Sequence, residues 1–227
     1  MKSDLLQQLL ADRQAQRTVV LATELASGTQ RLIYPERMDG DPLAEATLQA
    51  VRDDRSGTVE TDAGPVFLNV FNPPLRLIIV GAVHIAQALA PMARMTGYHT
   101  IIVDPRHAWA TPERFPGIEI VDDWPDEAMD RLKPDHRTAI VTLTHDPKLD
   151  DPALSSALRS GSFYIGALGS TRTHAKRLQR LESAGFTAAE MARIHGPAGL
   201  DIGAKSPAEI AVSIMGQMTA ALRGAAT

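Results

Sequence analysis

The sequence predicts an α/β protein, a doubly wound parallel sheet behind a small N-terminal α+β domain. Three observations lead there. From residue 75 the chain holds short apolar runs at 75–80, 100–103, 118–121, 138–143 and 163–167. They are continuous rather than alternating, as strands buried on both faces require. Helix-length segments at 85–95, 126–132 and 152–159 lie between them, and such alternation is the pattern of a parallel sheet. The first run also passes through Gly81 straight into a helix start, the turn that open α/β sheets place at their ligand-binding edge.

Taken in order, residues 4–12 read as a short helix, 18–23 and 30–34 as strands, and 43–53 as a second helix. Gly57–Thr61 and residues 65–71 read as a hairpin turned at Asp62-Ala63-Gly64. Pro73-Pro74 continues neither a strand ladder nor a helix. It therefore divides a domain of residues 1–72 from one of residues 73–227. Past the last strand, Thr187 with Glu190 and Ser206 with Glu209 are capping boxes, the second carrying Pro207 at the first helical position. They fix helix starts and carry no chemistry.

Composition bounds the function. The chain has 227 residues, 44% hydrophobic and 22% charged, enough for a real core. It contains no cysteine, which excludes disulfides, thiolate metal sites, iron–sulfur clusters and thiol nucleophiles. A net charge of −4 gives no basic field for nucleic acid. The N-terminus is charged and Gln-rich where a signal peptide needs an apolar run. The longest uncharged stretch, 210–222, is short of the roughly 20 residues of a membrane helix. A soluble cytoplasmic protein, bound to neither nucleic acid nor membrane, is the expectation. The seven His have no metal-ligand spacing, and neither a G-x-S-x-G elbow nor a phosphate loop of the GxxxxGK[ST] type occurs. No metal site and no catalytic residue are assigned.

The residues that carry chemistry cluster at predicted strand ends. Gly81, Ala82 and His84 open the first helix, whose unpaired N–H groups and dipole suit a phosphate, or they form only a tight strand–helix turn. Asp104 stands at the second strand end, where a ribose-binding carboxylate belongs, roughly 20 residues on. Val83 departs from that fingerprint, because its branched side chain replaces the glycine that lets backbone approach a pyrophosphate. Arg106 follows Asp104 and suits bidentate phosphate contact, or is a solvated turn residue. Thr144, His145 and Asp146 end the fourth strand, either for acid–base work or as a turn in which Asp146 caps the next helix. Gly166, Gly169, Ser170 and Arg172 form a glycine loop before a basic helix with His174, Lys176, Arg177 and Arg180. That is the stronger phosphate candidate of the two glycine turns. Residues 194–205, with three glycines and a proline, form a long loop of the kind that overlies a site.

Together these motifs resemble one family. Leu77-Ile-Ile-Val-Gly-Ala-Val-His84-Ile-Ala, Val141-Thr-Leu-Thr-His145-Asp146, Tyr164-Ile-Gly-Ala-Leu-Gly-Ser-Thr-Arg-Thr-His174 and Ile194-His-Gly-Pro-Ala-Gly-Leu-Asp-Ile-Gly-Ala204, followed by Ser206-Pro-Ala-Glu-Ile-Ala211, are similar in order and spacing to the Rossmann domain of XdhC/CoxI proteins. This is the xanthine dehydrogenase accessory family, and the resemblance spans residues 75–220. It implies a chaperone, not an enzyme, that binds molybdenum cofactor (molybdopterin, with its phosphate or in nucleotide form). Such a protein matures a molybdenum hydroxylase of the xanthine or carbon monoxide dehydrogenase type and associates with the cofactor's sulfurtransferase. A homodimer is expected. The family's N-terminal domain carries a glycine-rich stretch and a cysteine that residues 1–72 lack, so a separate protein of that N-terminal type is an implied partner. The cofactor is expected near Gly81, Ala82, His84, Asp104, Arg106, Thr144, His145, Gly166, Gly169, Ser170 and Arg172. Two alternatives stay open: an NAD(P)-dependent oxidoreductase with His145 as acid–base, and a cofactor-free scaffold for hydroxylase assembly.

Overall fold

The structure is a computed structural model in which residues 3–225 are described. The chain forms two compact units, Met1–Pro73 and Pro74–Thr227. In the first, α1 (Ser3–Gln14), β1 (Val19–Glu24), β2 (Gln30–Ile33), α2 (Ala44–Asp53), β3 (Gly57–Thr61) and β4 (Gly64–Phe71) lie where the sequence puts them. The strands form an antiparallel sheet in the order β2-β1-β4-β3. Val20 and Ala22 of β1 meet Leu68, Val66, Ile33 and Leu43 in one apolar cluster, and Val19 and Leu21, which alternate with them, are buried as well.

The second unit runs β5 (Leu75–Val80), α3 (His84–Met95), β6 (Tyr98–Val103), β7 (Glu119–Val121), α4 (Pro125–Leu132), β8 (Thr138–Thr142), α5 (Pro147–Arg159), β9 (Tyr164–Ala167), α6 (Thr171–Ser183), α7 (Ala188–Met191), β10 (Ile194–His195) and α8 (Pro207–Arg223). Its six strands pair in parallel in the order β10-β9-β8-β5-β6-β7. Strand order reverses between β5 and β8, and a ligand crevice opens at such a switch point. Leu77 and Ile79 face a core with α3 and α8, whereas Ile78 and Val80 face the opposite core with α4, α5 and α6. Burial on both faces is why these strands read as continuous apolar runs.

Two expectations are corrected. Helix α5 begins at Pro147, five residues before the predicted start. Asp146 caps it by accepting from the Lys148 N–H at 2.9 Å, and Pro147 occupies the first turn, where no N–H is needed. Pro152, taken as the start, sits inside the helix. Ile194–His195, read as loop, pairs with Ile165 and Gly166 as the short strand β10. The capping boxes at Thr187 and Ser206 form as read.

Candidate functional site

The carboxyl ends of β5, β6, β8 and β9 bring four segments to one edge. The turn after β5 is tight. Gly81 has φ +113°, and a Cβ there would stand 2.5 Å from Thr144 Cγ2. Only glycine tolerates both conditions. Behind it, Asp104 is fully buried, and its two carboxylate oxygens take four hydrogen bonds. One oxygen accepts from the Ala82 N–H at 2.8 Å and the Arg106 guanidinium at 2.7 Å. The other accepts from the Arg106 N–H at 3.0 Å and Nε at 2.8 Å. Burial pushes this carboxyl up, but the Arg106 guanidinium and the two N–H groups outweigh it and hold it below its ordinary value of 3.8.

The consequence for the first turn is chemical. Asp104, expected to meet a ribose, has its acceptors committed to the protein's own backbone and to Arg106. The Ala82 N–H, expected to meet a phosphate, is already bonded. Val83 is the N-cap of α3 with no side-chain cap hydrogen bond, and His84 is exposed at the first helical position. Arg106 lies against Asp104 and also within 5.6 Å of the Trp109 ring centroid. Trp109, which the sequence reading passed over, is 42% exposed and sits beside Arg114 as well, at 5.5 Å.

The β8 end is organised by a residue that sequence reasoning also missed, Asp150. Only 1% exposed, it accepts from the Thr144 hydroxyl at 2.6 Å and the His145 N–H at 3.1 Å. His145 thereby holds a left-handed conformation, φ +64°, a local cost that proteins concentrate at working sites. Its ring is not paired with Asp146, whose side chain caps α5. Of the two readings of this motif, capping is the one the geometry realises. The available signal for Asp150 was its place in the first turn after Asp146-Pro147, obscured by the later helix start.

The β9 end supplies the cations. Gly169 has φ +140°, and a Cβ there would stand 3.1 Å from the Thr173 side chain and 3.6 Å from His145 Nδ1, so the β8 and β9 loops run close together. Ser170 caps α6 by accepting from the Thr173 N–H at 3.2 Å. Gly166 has another role than the one expected: the Tyr164 ring fills the space over it, leaving no opening for a ligand there. That ring stacks on His195 at 4.9 Å and donates its hydroxyl to Gln217 at 2.7 Å.

Between α5 and α6 these segments leave a cleft of about 340 Å³ lined by His145, Pro147, Asp150, Arg172, Thr173, Lys176, Arg177 and Arg180. The spacing of Arg172, Lys176 and Arg180 puts them on one helix face. Arg180 is tied to Asp151. Arg172 and Lys176 are exposed and make no ion pair among the described residues. Arg177 is 1% exposed. It donates to the Leu168 carbonyl at 2.8 Å and lies 3.6 Å from Asp150, while its buried Nε–H has no partner among the described residues. Burial pulls its pKa down and Asp150 opposes that. The cleft thus joins a helix start, two exposed cations and a buried guanidinium that is paired with Asp150.

Of the expected residues, His145 and Arg172 line this cleft, and Thr144, Gly169 and Ser170 lie next to them or to Thr173 in the loops that lead into it. Gly81, Ala82, Asp104 and Arg106 form the adjoining closed turn, with His84 exposed at the helix start beyond it. Among the described residues, no cluster of three or more His, Asp or Glu is arranged to hold a metal ion. Among them, too, no helix is long and apolar enough to cross a membrane.

The fold is a Rossmann-type domain with a cation-lined cleft beyond the ends of β8 and β9. The XdhC Rossmann domain matches residues 77–218, and the chain belongs to the XdhC family. It is similar to the molybdenum cofactor insertion chaperone PaoD of Escherichia coli (strain K12), 33% identical over 148 residues, 65% of this chain and 40% of that protein. It is also similar to a probable xanthine dehydrogenase subunit from Bacillus subtilis (strain 168), 31% identical over 154 residues, 67% of this chain and 44% of that one. The matched region is thus less than half the length of these relatives. A crystal structure of a xanthine dehydrogenase from Bacillus halodurans matches with TM-score 0.70 over 96% of this chain and 64% of that chain. At 24% identity, that likeness shows the fold alone.

Proposed function

We propose that this chain binds molybdenum cofactor as cargo at the carboxyl edge of its parallel sheet and passes it to a molybdenum hydroxylase. The observation that carries this reading is the α5–α6 cleft, where Arg172 and Lys176, without an ion pair among the described residues, share the lining with His145 and buried Arg177. Molybdopterin is a phosphorylated pterin, and these cations would hold its phosphate while His145 and Thr144 flank the rest. The naming of one relative as a cofactor insertion chaperone supports the same class of cargo. With no thiol in the chain, sulfur chemistry on the cofactor belongs to another protein. A sulfurtransferase and a separate protein with the family's N-terminal cysteine are the partners this reading calls for. Residues 1–72 would be a shortened form of that family's N-terminal domain and residues 73–227 the carrier domain, in a homodimer. In this role the chain itself catalyses no reaction.

Three features weigh against a nicotinamide dinucleotide: the bonded Ala82 N–H, the β-branched Val83 and the fully committed Asp104. The test is a transfer assay. The purified chain, loaded with isolated cofactor, is mixed with cofactor-free hydroxylase. Faster activation than with free cofactor at equal concentration is the expected result; an identical time course rejects the carrier role.

A further inference from the structure

The N-terminal unit holds a cavity that cofactor carriage does not use. It measures about 480 Å³ and lies where Leu43, just ahead of α2, meets one end of the antiparallel sheet. Buried Ala22, Leu43 and Val66 form its apolar floor. Its walls are the β1–β2 and β3–β4 turns, fastened by the protein's own hydrogen bonds. The Leu25 N–H donates to the Pro65 carbonyl at 3.0 Å, which ties one turn to the other. Within the second turn, the Thr61 hydroxyl donates to the Gly64 carbonyl at 2.7 Å. A volume within the roughly 300–1,000 Å³ of ligand sites, an apolar floor and preformed walls are the ordinary marks of a binding cavity.

The charge of the lining says what the cavity takes. Three carboxylates contribute to it, Glu24, Glu60 and Asp62. Glu24 is steadied by the Ser27 hydroxyl, which donates to it at 2.7 Å. The Glu60 and Asp62 side chains are exposed and make no hydrogen bond or ion pair among the described residues. The cation of the lining, Arg31, is already committed: its guanidinium forks onto Asp41 at 2.6 and 2.8 Å. An anion would therefore be repelled. Nor is a metal ion the complement, since among the described residues no three such groups are gathered to hold one. What fits spaced carboxylates over an apolar floor is a cation whose charge sits on an apolar body. We propose that this cavity binds an organic cation, a guanidinium or ammonium group on an apolar stem. The stem would lie on Ala22, Leu43 and Val66, with the head at Glu24, Glu60 and Asp62. The site belongs to a different unit from the cofactor cleft and does not depend on the carrier reading.

The experiment is an amide chemical-shift titration of the full chain with butylguanidinium, 1-pentanol, guanidinium chloride and acetylarginine amide. Butylguanidinium should shift the Thr29, Ala63 and Gly64 amides saturably. It should bind about ten-fold more tightly than 1-pentanol, which lacks the charge, and than guanidinium, which lacks the stem. Glu60→Gln/Asp62→Asn should weaken it by about five-fold or more. A charge-matched control in the second unit, Glu127→Gln/Asp130→Asn, should leave it unchanged. Glu60 and Asp62 are exposed, so the cavity variant keeps its melting temperature. Unmoved amides at the cavity overturn the site, as does undiminished binding by the cavity variant. Binding of 1-pentanol as tight as that of butylguanidinium overturns the cationic class. Acetylarginine amide separates the two sources of such a cation. Binding as tight as that of butylguanidinium assigns the cavity to an arginine side chain carried by a protein. Binding about ten-fold weaker assigns it to a free small cation.

Discussion

The turn from β5 to α3 and the turn from β9 to α6 share one local plan: a buried strand, a glycine at positive φ and a helix start facing the carboxyl edge. They differ in what satisfies that edge. At the first, the protein supplies its own anion, Asp104, which bonds the Ala82 N–H and pairs with Arg106. At the second, the internal acceptor for the first-turn N–H groups is the neutral Ser170 hydroxyl, and Arg172 and Lys176 stay unpaired among the described residues. The same strand–glycine–helix motif is therefore closed by an internal carboxylate in one place, and in the other it is capped by a hydroxyl with exposed cations beside it. Telling them apart takes the position of one side chain, not the motif.

The comparison breaks most visibly at Gly81. Gly81→Val places a branched side chain at φ +113° against Thr144. Strain and overpacking together should cost on the order of 3 kcal/mol, a fall of about 10 °C in a thermal melt. A change of under a degree would mean the turn is not tight. Next comes Asp104→Asn, which removes a charged acceptor from a buried network and should cost about 2–3 kcal/mol. It also has a pH signature. The folded Asp104 carboxyl lies below 3.8, so its contribution is complete above that value and is lost as pH falls through the folded value. Wild type should therefore lose stability below about pH 4 more steeply than Asp104→Asn in acid denaturation; parallel curves would refute the internal-anion role.

At the open turn the effects on stability shrink. Ser170→Ala removes a helix cap and should cost about 1 kcal/mol in urea unfolding. Arg172→Gln/Lys176→Gln should change stability by no more than about 0.5 kcal/mol. A large loss in the cation variant would make those side chains structural and erase the contrast between the two turns.

Much of this fold was legible in the sequence because β5, β6, β8 and β9 are buried on both faces and leave uninterrupted apolar runs. The order β10-β9-β8-β5-β6-β7 was less legible, since β10 is only Ile194–His195, too short for a pattern. At the candidate site, strand ends and glycine turns pointed to Thr144, His145, Gly169, Ser170 and Arg172, and the structure places them on neighbouring loops of one sheet edge. Asp104 was found too, but its capture by Ala82 and Arg106 could not be read from a motif that ordinarily marks a ribose contact. Gly166 was misread for a related reason: the ring that fills its space, Tyr164, is two residues away on the same strand face, and a glycine alone does not say which group approaches it. Asp150 escaped because Pro152 looked like a helix start, which placed Asp150 in a loop instead of the first turn of α5.

Whether the open turn carries a phosphorylated pterin is tested most directly by mass spectrometry of the small molecule released on denaturation. The protein is purified from cells that make molybdenum cofactor. A pterin bearing one phosphate is expected, near one per chain and sharply reduced in Arg172→Gln/Lys176→Gln. A nicotinamide dinucleotide in its place, or equal pterin in both proteins, would contradict the carrier role of this turn.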